Sequence, residues 1–259
     1  MTDSILIEGD DAIRTVVLNR PHKLNALTKV MWRRLGDVMA ELSADDAVRC
    51  VVLRGAGGRA FAPGNDISEF EAERSNPEKA KAYGAVVHGA LAAIRDCRHP
   101  TVALIEGICV GGGLEIAALC DIRVCGVSSR FGVPINKLGL VMAHTELEAL
   151  IDLVGRATAL EILLEGRIFG AGEAKEKGLV SRIVADDMVA EEAYATARRI
   201  AAGAPLVARW HKKFAWRLAD RTPLSEAERD EGFACFATED FAVGYRAFLE
   251  KKQPKFKGR

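Results

Sequence analysis

Three consecutive glycines, residues 111–113, constrain the fold of this chain more than any other feature of its sequence. Upstream of them, Thr101–Ile105 is an apolar, β-branched segment typical of a buried strand. Downstream, Leu114, Ala117 and Ala118 recur at helical spacing. The glycines therefore lie where a strand passes into a helix, and glycine tolerates the positive φ angles and close backbone contacts that such a turn requires.

The first turn of this predicted helix can bind an anion. Its N–H groups have no partner within the helix, and the helix dipole favours negative charge there, including charge that develops on an oxygen during a reaction. Glu115 stands within one turn, where an acid or a base is useful. The alternative is an ordinary turn in which Glu115 is solvated and stabilises the helix start. The run matches neither the dinucleotide pattern G-x-G-x-x-G nor a phosphate-binding P-loop.

A second glycine turn follows another predicted strand. Residues 61–67 (FAPGNDI) come after the apolar segment 48–53 and a glycine-rich turn at 54–59, and Pro63-Gly64 is a strong turn signal. Sites that stabilise an oxyanion usually take two backbone donors from different segments. These two strand ends would supply such a pair, although residues 63–66 alone are also typical of a surface loop.

Together with other motifs, these segments make the chain resemble the crotonase superfamily, also called the enoyl-CoA hydratase/isomerase family. The resemblance implies an α/β fold built as a spiral of repeated ββα units with a C-terminal helical region. The motifs occur in the order expected for that family and run almost end to end. They are residues 19–27 (NRPHKLNAL), 61–67 (FAPGNDI), 107–115 (GICVGGGLE) with 120–121 (CD), 131–134 (FGVP), 138–140 (LGL), 171–174 (AGEA) and 178–180 (GLV).

The resemblance also implies roles for individual residues. The backbone N–H groups of Asn65 and Gly112 match the two donors that hold the acyl-thioester oxygen, and Glu115 matches one of the two catalytic glutamates of the hydratases. Two further groups match positions that contact CoA: a wall made of His22, Lys23, Leu24, Ala62, Asp66, Ile67 and Ser68, and a C-terminal pair, Phe248 and Lys251, which often acts across a subunit interface. Lys251 also begins a basic tail of the kind that is usually only solvated.

The chain departs from the family pattern at Ile135, where the second catalytic glutamate would follow Phe-Gly-x-Pro. Isoleucine cannot move a proton, and loss of a positioned acid or base typically lowers a rate by ~10²–10⁴-fold. His144 is a candidate substitute, because imidazole titrates near neutrality, or it is only a histidine at a helix start. Glu146 and Glu148 are further candidate substitutes, but the first turn of a helix, where its dipole favours acidic residues, is the expected place for both. Ala143 stands where some family isomerases and hydrolases carry an aspartate.

Three readings of function follow from this departure. The first is hydration and dehydration of an enoyl-CoA, with Glu115 handling the proton or the water. The second is another reaction through a thioester enolate, such as double-bond isomerisation, decarboxylation or thioester hydrolysis. The third is a CoA-binding protein with little catalysis, in which the binding loops are kept and one catalytic glutamate is lost.

Composition excludes several other classes of protein. Lys+Arg and Asp+Glu both number 36, so no net charge attracts nucleic acid or an anionic membrane. Most of the six cysteines lie in apolar segments, which favours reduced, buried thiols, and no metal-ligand spacing occurs. The first four residues do not resemble a secretory signal, and no apolar run is long enough to span a membrane. We therefore expect a cytoplasmic protein without a metal site. The family resemblance implies an enzyme with an acyl-CoA substrate, no other cofactor because CoA enters with the substrate, and a homotrimer or homohexamer.

Hydrophobic periodicity predicts the elements in outline. We expect a spiral core over residues 1–202 and a C-terminal helical region over 203–259, separated by the break at residues 203–205. We expect the C-terminal aromatic side chains to lie in the core or a subunit interface, and residues 68–78 to form a mobile flank of the substrate pocket. Strands are predicted at 13–18, 49–53, 101–105, 122–125 and 180–184, and helices at 29–42, 79–97, 114–119, 146–154, 158–165, 188–202, 206–218, 225–236 and 240–251.

Overall fold

The computed structural model describes residues 3–9 and 12–259. Residues 1 and 2, which contributed to the prediction about targeting, lie outside the described residues. The strands in these ranges are β1 (Ile5–Glu8), β2 (Ile13–Leu18), β3 (Cys50–Gly55), β4 (Ala60–Ala62), β5 (Thr101–Ile105), β6 (Ile108–Val110), β7 (Ile122–Gly126), β8 (Arg130–Gly132), β9 (Phe169–Gly170) and β10 (Arg182–Val184). The α-helices are α1 (Lys29–Ala44), α2 (Phe70–Glu73), α3 (Pro77–Arg95), α4 (Gly112–Leu119), α5 (His144–Glu165), α6 (Ala171–Glu176), α7 (Val189–Ala201), α8 (Pro205–Ala219), α9 (Glu226–Glu231) and α10 (Glu239–Leu249).

The strands form two sheets that the chain visits in turn. One sheet has the order β1-β2-β3-β5-β7-β10, and the other has the order β4-β6-β8-β9. The pairs β3/β4, β5/β6 and β7/β8 each give their first strand to the larger sheet and their second strand to the smaller one, and a helix follows each pair. Neighbouring strands from β2 to β10 in the larger sheet are parallel. This is the predicted α/β spiral of ββα units.

The larger sheet is buried on both faces, which explains its continuous apolar strands. Side chains alternate across a strand. In β3, Val51 and Leu53 therefore join the main core, whereas Cys50 and Val52 pack in a second cluster with Val189 and other residues of α7. The main core lies between this sheet and the helices α1, α3 and α4, so the residues that begin α4 rest on a rigid, buried base.

The predicted strands are all present, but β1 and the short strands of the smaller sheet were missed. The strands β4, β6, β8 and β9 have two or three residues each, too few to show a period. The two helices predicted at 146–154 and 158–165 are one span, α5, with a kink at Gly155, whose φ of 77° and ψ of 157° are not helical. The helix predicted over 225–236 is wrong in extent, because α9 ends at Glu231 and a short 3₁₀ turn, Ala234–Ala237, follows.

The C-terminal region packs on the spiral through a buried charge pair. Lys212 of α8 lies 2.9 Å from Asp121 and donates to the carbonyl oxygen of His99 at 3.1 Å. The aromatic side chains of this region were expected in the core or in a subunit interface; the later ones do not lie in the core, and their place in an interface stays a prediction. Phe233, Phe236 and Phe248 are 68%, 61% and 83% exposed, respectively. The predicted boundary between residues 202 and 203 stays a prediction.

Residues 68–78, expected to be a mobile flank of the pocket, contain helical turns and are hydrogen-bonded to neighbouring elements. They contain α2 and the end of a 3₁₀ turn, Ile67–Glu69. Glu69 anchors the segment, because its carboxylate accepts hydrogen bonds from the backbone N–H of Lys29 at 2.8 Å and from the hydroxyl of Tyr83 at 3.2 Å. The cysteine prediction is confirmed for five of the six thiols, which are free and buried, while Cys235 is half-buried.

Candidate active site

The Asn65 turn follows β4 and is held by strand-like pairing with the segment before α1. Leu27 donates to the carbonyl oxygen of Gly64 and accepts from the N–H of Asp66, both at 2.8 Å. In this parallel bridge the N–H of Asn65 faces away from Leu27. Gly64 has a φ of 105°, which favours glycine at this position. The turn therefore exposes one backbone donor, Asn65, on the side opposite its anchor.

The Gly112 turn brings a second donor to the same place. Gly111 adopts a φ of 52° and a ψ of −124°, and α4 begins at the next residue. A side chain on Gly113 would clash with the carbonyl oxygen of Ala62, so the two turns approach at backbone distance. A Cβ atom on Gly64 would lie 3.1 Å from the nitrogen of Gly112. The first-turn N–H groups of α4 thus lie beside the Asn65 turn, as expected from the two glycine motifs.

Trp32 supports both turns, and sequence reasoning missed it. This fully buried side chain donates from Nε1 to Oδ1 of Asn65 at 2.6 Å, and the hydroxyl of Tyr83 approaches the same oxygen at 3.4 Å. The indole ring also lies under Gly112, where an added Cβ atom would meet Cζ2 at 3.0 Å. In the sequence Trp32 is only one apolar residue of an amphipathic helix, so no pattern distinguished it from the core.

Glu115 lies one turn into α4, with its backbone N–H donating to the carbonyl oxygen of Gly111 at 3.0 Å. Its side chain is half-buried among apolar residues. The pKa of Glu115 is raised to about 8, first by burial and then by the negative charge of Glu146, while Arg74 acts in the opposite direction. This shift favours the protonated form of Glu115, which can donate a proton.

Glu146 is placed by two hydrogen bonds, one to each carboxylate oxygen. Oε2 accepts from the backbone N–H of Ala143 at 2.8 Å, which makes Glu146 the N3 residue of a helix cap, and Oε1 lies 3.1 Å from Nε2 of His88 on α3. The prediction that Glu146 occupies a first helical turn is confirmed. Its pairing with His88 was missed, because 58 residues separate the two and no spacing rule connects them.

Ile135 and His144 lie near the same region but make no polar contact with Glu115 among the described residues. Ile135 belongs to a 3₁₀ turn, Pro134–Leu138, and its half-buried side chain packs on the main core. His144 is the first residue of α5, and its side chain is exposed. Within the described chain, no side-chain hydrogen bond positions His144, whereas Glu146 is fixed at both oxygens. The helix-start reading of His144 fits this placement.

The predicted CoA wall is brought together by an ion pair. Arg20 lies 2.5 Å from Asp66, which joins the 19–27 motif to the Asn65 turn. The hydroxyl of Ser68 and the guanidinium of Arg20 lower the pKa of Asp66 to about 2. Ala62 is buried at the end of β4 and Leu24 is half-buried, while the exposed members of the wall are His22, Lys23, Ile67 and Ser68.

Phe248 and Lys251 lie apart from these residues. Phe248 is 83% exposed near the end of α10, and the exposed Lys251 follows the helix with a φ of 55°. Neither side chain makes a hydrogen bond or ion pair with the other predicted site residues in the part of the chain that is described. Their assignment to CoA binding stays a prediction.

A cavity of about 960 Å³ between α3, α5 and α8 is separate from this site. Its lining includes Glu148 and Trp216 but none of Asn65, Gly112 or Glu115. Over residues 3–9 and 12–259, no cluster of three or more His, Cys, Asp or Glu side chains could hold a metal ion. Within the same ranges, no helix has the length and apolar character needed to cross a bilayer.

Comparison with known proteins supports the family suggested by the motifs. The family model described as enoyl-CoA hydratase/isomerase matches residues 8–259. This chain belongs to the enoyl-CoA hydratase/isomerase family. A probable enoyl-CoA hydratase of Mycobacterium bovis is 36% identical over 99% of each chain, and a crotonyl-CoA hydratase of Syntrophomonas wolfei is 30% identical over 98% of each. The crystal structure of an enoyl-CoA hydratase/carnitine racemase from Magnetospirillum magneticum matches with a TM-score of 0.98 and 52% identity, covering 100% of this chain and 97% of that one.

Proposed function

We propose that this protein hydrates the double bond of 2-enoyl-CoA thioesters, and catalyses the reverse dehydration, through a thioester enolate. One observation carries the proposal: the Asn65 turn and the first turn of α4 approach at backbone distance, and the half-buried Glu115 lies in that same helical turn. The relatives named enoyl-CoA hydratase support the same reaction class. Their names alone do not decide this chain's reaction, because its residue 135 is Ile.

The two backbone N–H groups are assigned to the thioester oxygen. When water adds to the β-carbon, the electron pair of the double bond moves towards the thioester, and negative charge develops on that oxygen. Donors fixed in advance stabilise such charge without reorganising, and each is typically worth about 3–4 kcal/mol in the transition state. Asn65 and Gly112 are fixed in this way, because Trp32 contacts both turns from below.

Glu115 is assigned to proton transfer at the α-carbon. A protonated carboxyl can donate to the carbanion-like carbon of the enolate, and the ionised form can take the same proton back during dehydration. Burial raises the pKa of Glu115 and so favours the protonated form that this step needs. The half-buried environment therefore matches the side chain to a reaction that needs an acid in one direction and a base in the other.

The CoA portion is assigned to the wall beside the Asn65 turn. The exposed His22 and Lys23 offer positive or polar groups to a phosphorylated ligand, while Ala62 and Leu24 offer apolar surface. We also assign Phe248 and Lys251 to CoA contacts in a homotrimer or homohexamer. The exposure of Phe233, Phe236 and Phe248 supports burial by another subunit.

The test is loss of the conjugated enoyl-thioester absorbance of crotonyl-CoA with purified wild-type protein and with Glu115→Gln. We expect turnover by the wild type and at least a 100-fold lower kcat in the variant, with similar affinity for the substrate. Glu148→Gln is the matched control, because it makes the same chemical change on an exposed residue of α5. Unchanged turnover in Glu115→Gln would contradict the assigned role. Conversion of 3-enoyl-CoA to 2-enoyl-CoA without hydration would instead favour isomerisation.

A further inference from the structure

The site contains a second carboxylate at a position that the family motif does not indicate. Hydration moves two protons: one leaves the attacking water, and one reaches the α-carbon. Glu115 serves the α-carbon in the proposed function, and Ile135 offers no group for the water. A second acid–base group must therefore come from elsewhere in the chain or from solvent.

Three helices meet around the helix that carries Glu115. The helix α4, which carries Glu115, packs against both α3 and α5. His88 on α3 and Glu146 on α5 face each other at 3.1 Å across this junction. The side chain of Glu146 is 16% exposed and that of His88 is 35% exposed, so the pair is shielded but still reachable by water. The pair therefore joins the two helices that pack against α4, the helix of Glu115, and the negative charge of Glu146 contributes to the raised pKa of Glu115.

Both oxygens of Glu146 are oriented, which favours a site residue over a mobile surface glutamate. The cap bond to Ala143 fixes Oε2, and His88 fixes Oε1. A carboxylate paired with an imidazole can pass a proton outwards through the ring. His88 is the partly exposed end of this pair, so it connects Glu146 to solvent.

We propose that Glu146, oriented by His88, is the second catalytic acid–base group of this enzyme and replaces the carboxylate that Ile135 does not provide. The inference rests on the proposed hydration. Glu146 accepts a proton from the attacking water as its oxygen bonds to the β-carbon. The π electron pair moves to form the enolate, and Glu115 then gives its proton to the α-carbon. The proton on Glu146 returns to Glu115 through water or through His88, so one water is added and the enzyme is restored.

The competing explanation is that Glu146 only caps α5. Glu146→Gln separates the two roles, because a glutamine oxygen can still accept from the N–H of Ala143 but cannot take a proton. Glu228→Gln is a matched control: Glu228 is the N3 residue of a capping box with Ser225 at the start of α9. A change caused by weakened capping would appear as altered stability in either variant.

The experiment measures kcat and KM for crotonyl-CoA hydration, together with thermal stability. We expect kcat of Glu146→Gln to fall by at least 100-fold with little change in KM, while Glu228→Gln retains wild-type turnover. The double variant Ile135→Glu/Glu146→Gln should have a kcat at least tenfold higher than Glu146→Gln alone, because Ile135→Glu supplies a carboxylate where the family motif has its second glutamate. His88→Ala should lower kcat and His88→Gln should recover part of it, since His88 positions Glu146.

The outcomes separate this proposal from the proposed function. Wild-type protein that leaves crotonyl-CoA unchanged would contradict both. Wild-type hydration that is lost in Glu115→Gln but stays within threefold of wild type in Glu146→Gln would contradict this proposal alone. In that case Glu146 is a helix cap, and a solvent water takes the proton.

Discussion

Replacing Glu115 by Gln should make the protein more stable while removing its activity. The folded state holds Glu115 in a half-buried site where its pKa is raised from the usual 4.5 to about 8. The unfolded chain ionises this carboxyl freely above its usual pKa, whereas the folded chain retains the proton. Glu115 therefore lowers the free energy of unfolding progressively as the pH rises from 4.5 to about 8, and this destabilisation is complete above pH 8.

The size of this effect follows from the pKa change. Moving the pKa from 4.5 to about 8 corresponds to at most about 5 kcal/mol. The side chain keeps some solvent contact, so we expect roughly half of that, about 2–3 kcal/mol. Glutamine has nearly the same shape and does not titrate. The stability of Glu115→Gln relative to wild type should therefore rise by about 2–3 kcal/mol between pH 5 and pH 8.

Chemical denaturation of both proteins at pH 5, 6, 7 and 8, at one protein concentration, measures this difference. Other titrating groups cancel in the comparison, and Glu148→Gln controls for loss of a carboxylate from an exposed site. A stability difference between Glu115→Gln and wild type that stays constant across this range would show that Glu115 is not protonated by burial. It would refute the argument that the site prepares a proton donor.

Three further predictions concern the groups that support the site. Trp32→Phe keeps an aromatic ring but removes the 2.6 Å hydrogen bond to Asn65. Steady-state kinetics should show a fall in kcat of about 3–10-fold, and denaturation should show a decrease of about 1 kcal/mol in the free energy of unfolding. Unchanged kcat would mean that this hydrogen bond does not help to position the Asn65 turn. Gly113→Ala forces a Cβ atom against the carbonyl oxygen of Ala62 in β4, so thermal unfolding should show a free energy of unfolding lower by about 3 kcal/mol or more. Wild-type stability would contradict the close approach of the two turns. Lys212→Met leaves the Asp121 carboxylate without its buried partner, so denaturation at pH 7 should show a loss of about 2–4 kcal/mol. Wild-type stability in this variant would show that the ion pair does not stabilise the packing of α8.

The sequence predicted the parts of the fold that have enough residues to show a pattern. Strand β5 agrees with its predicted bounds, and α1, α3 and α7 differ from theirs by no more than two residues at either end. The order of ββα units came from the family motifs, because periodicity alone identified only the strands of the larger sheet. The two- and three-residue strands of the smaller sheet are set by backbone pairing between turns, for example Ile108 of β6 with Arg130 of β8. Such pairing leaves no local signal in the sequence.

The sequence predicted the parts of the candidate site that a glycine or a family motif marks. It did not predict the side chains that are brought to the site by packing between distant elements. Gly111 and Gly64 have the positive φ angles that their motifs indicated. Trp32 and the pair of His88 with Glu146 were not anticipated, since each acts across elements that are distant in the chain. Sequence reasoning favoured His144 over Glu146 as the substitute base, because it weighed side-chain chemistry without knowing which face of α5 meets α4.

The most direct test of the proposed reaction is the mass of the product formed from crotonyl-CoA in water enriched in oxygen-18. Hydration through the site at Asn65, Gly112 and Glu115 predicts one acyl-CoA product that has gained a single labelled water, with the label on the β-carbon. A product of unchanged mass, or free CoA with label in a released acid, would contradict hydration. Unchanged mass would leave isomerisation or CoA binding without turnover, and labelled free acid would assign the site to thioester hydrolysis.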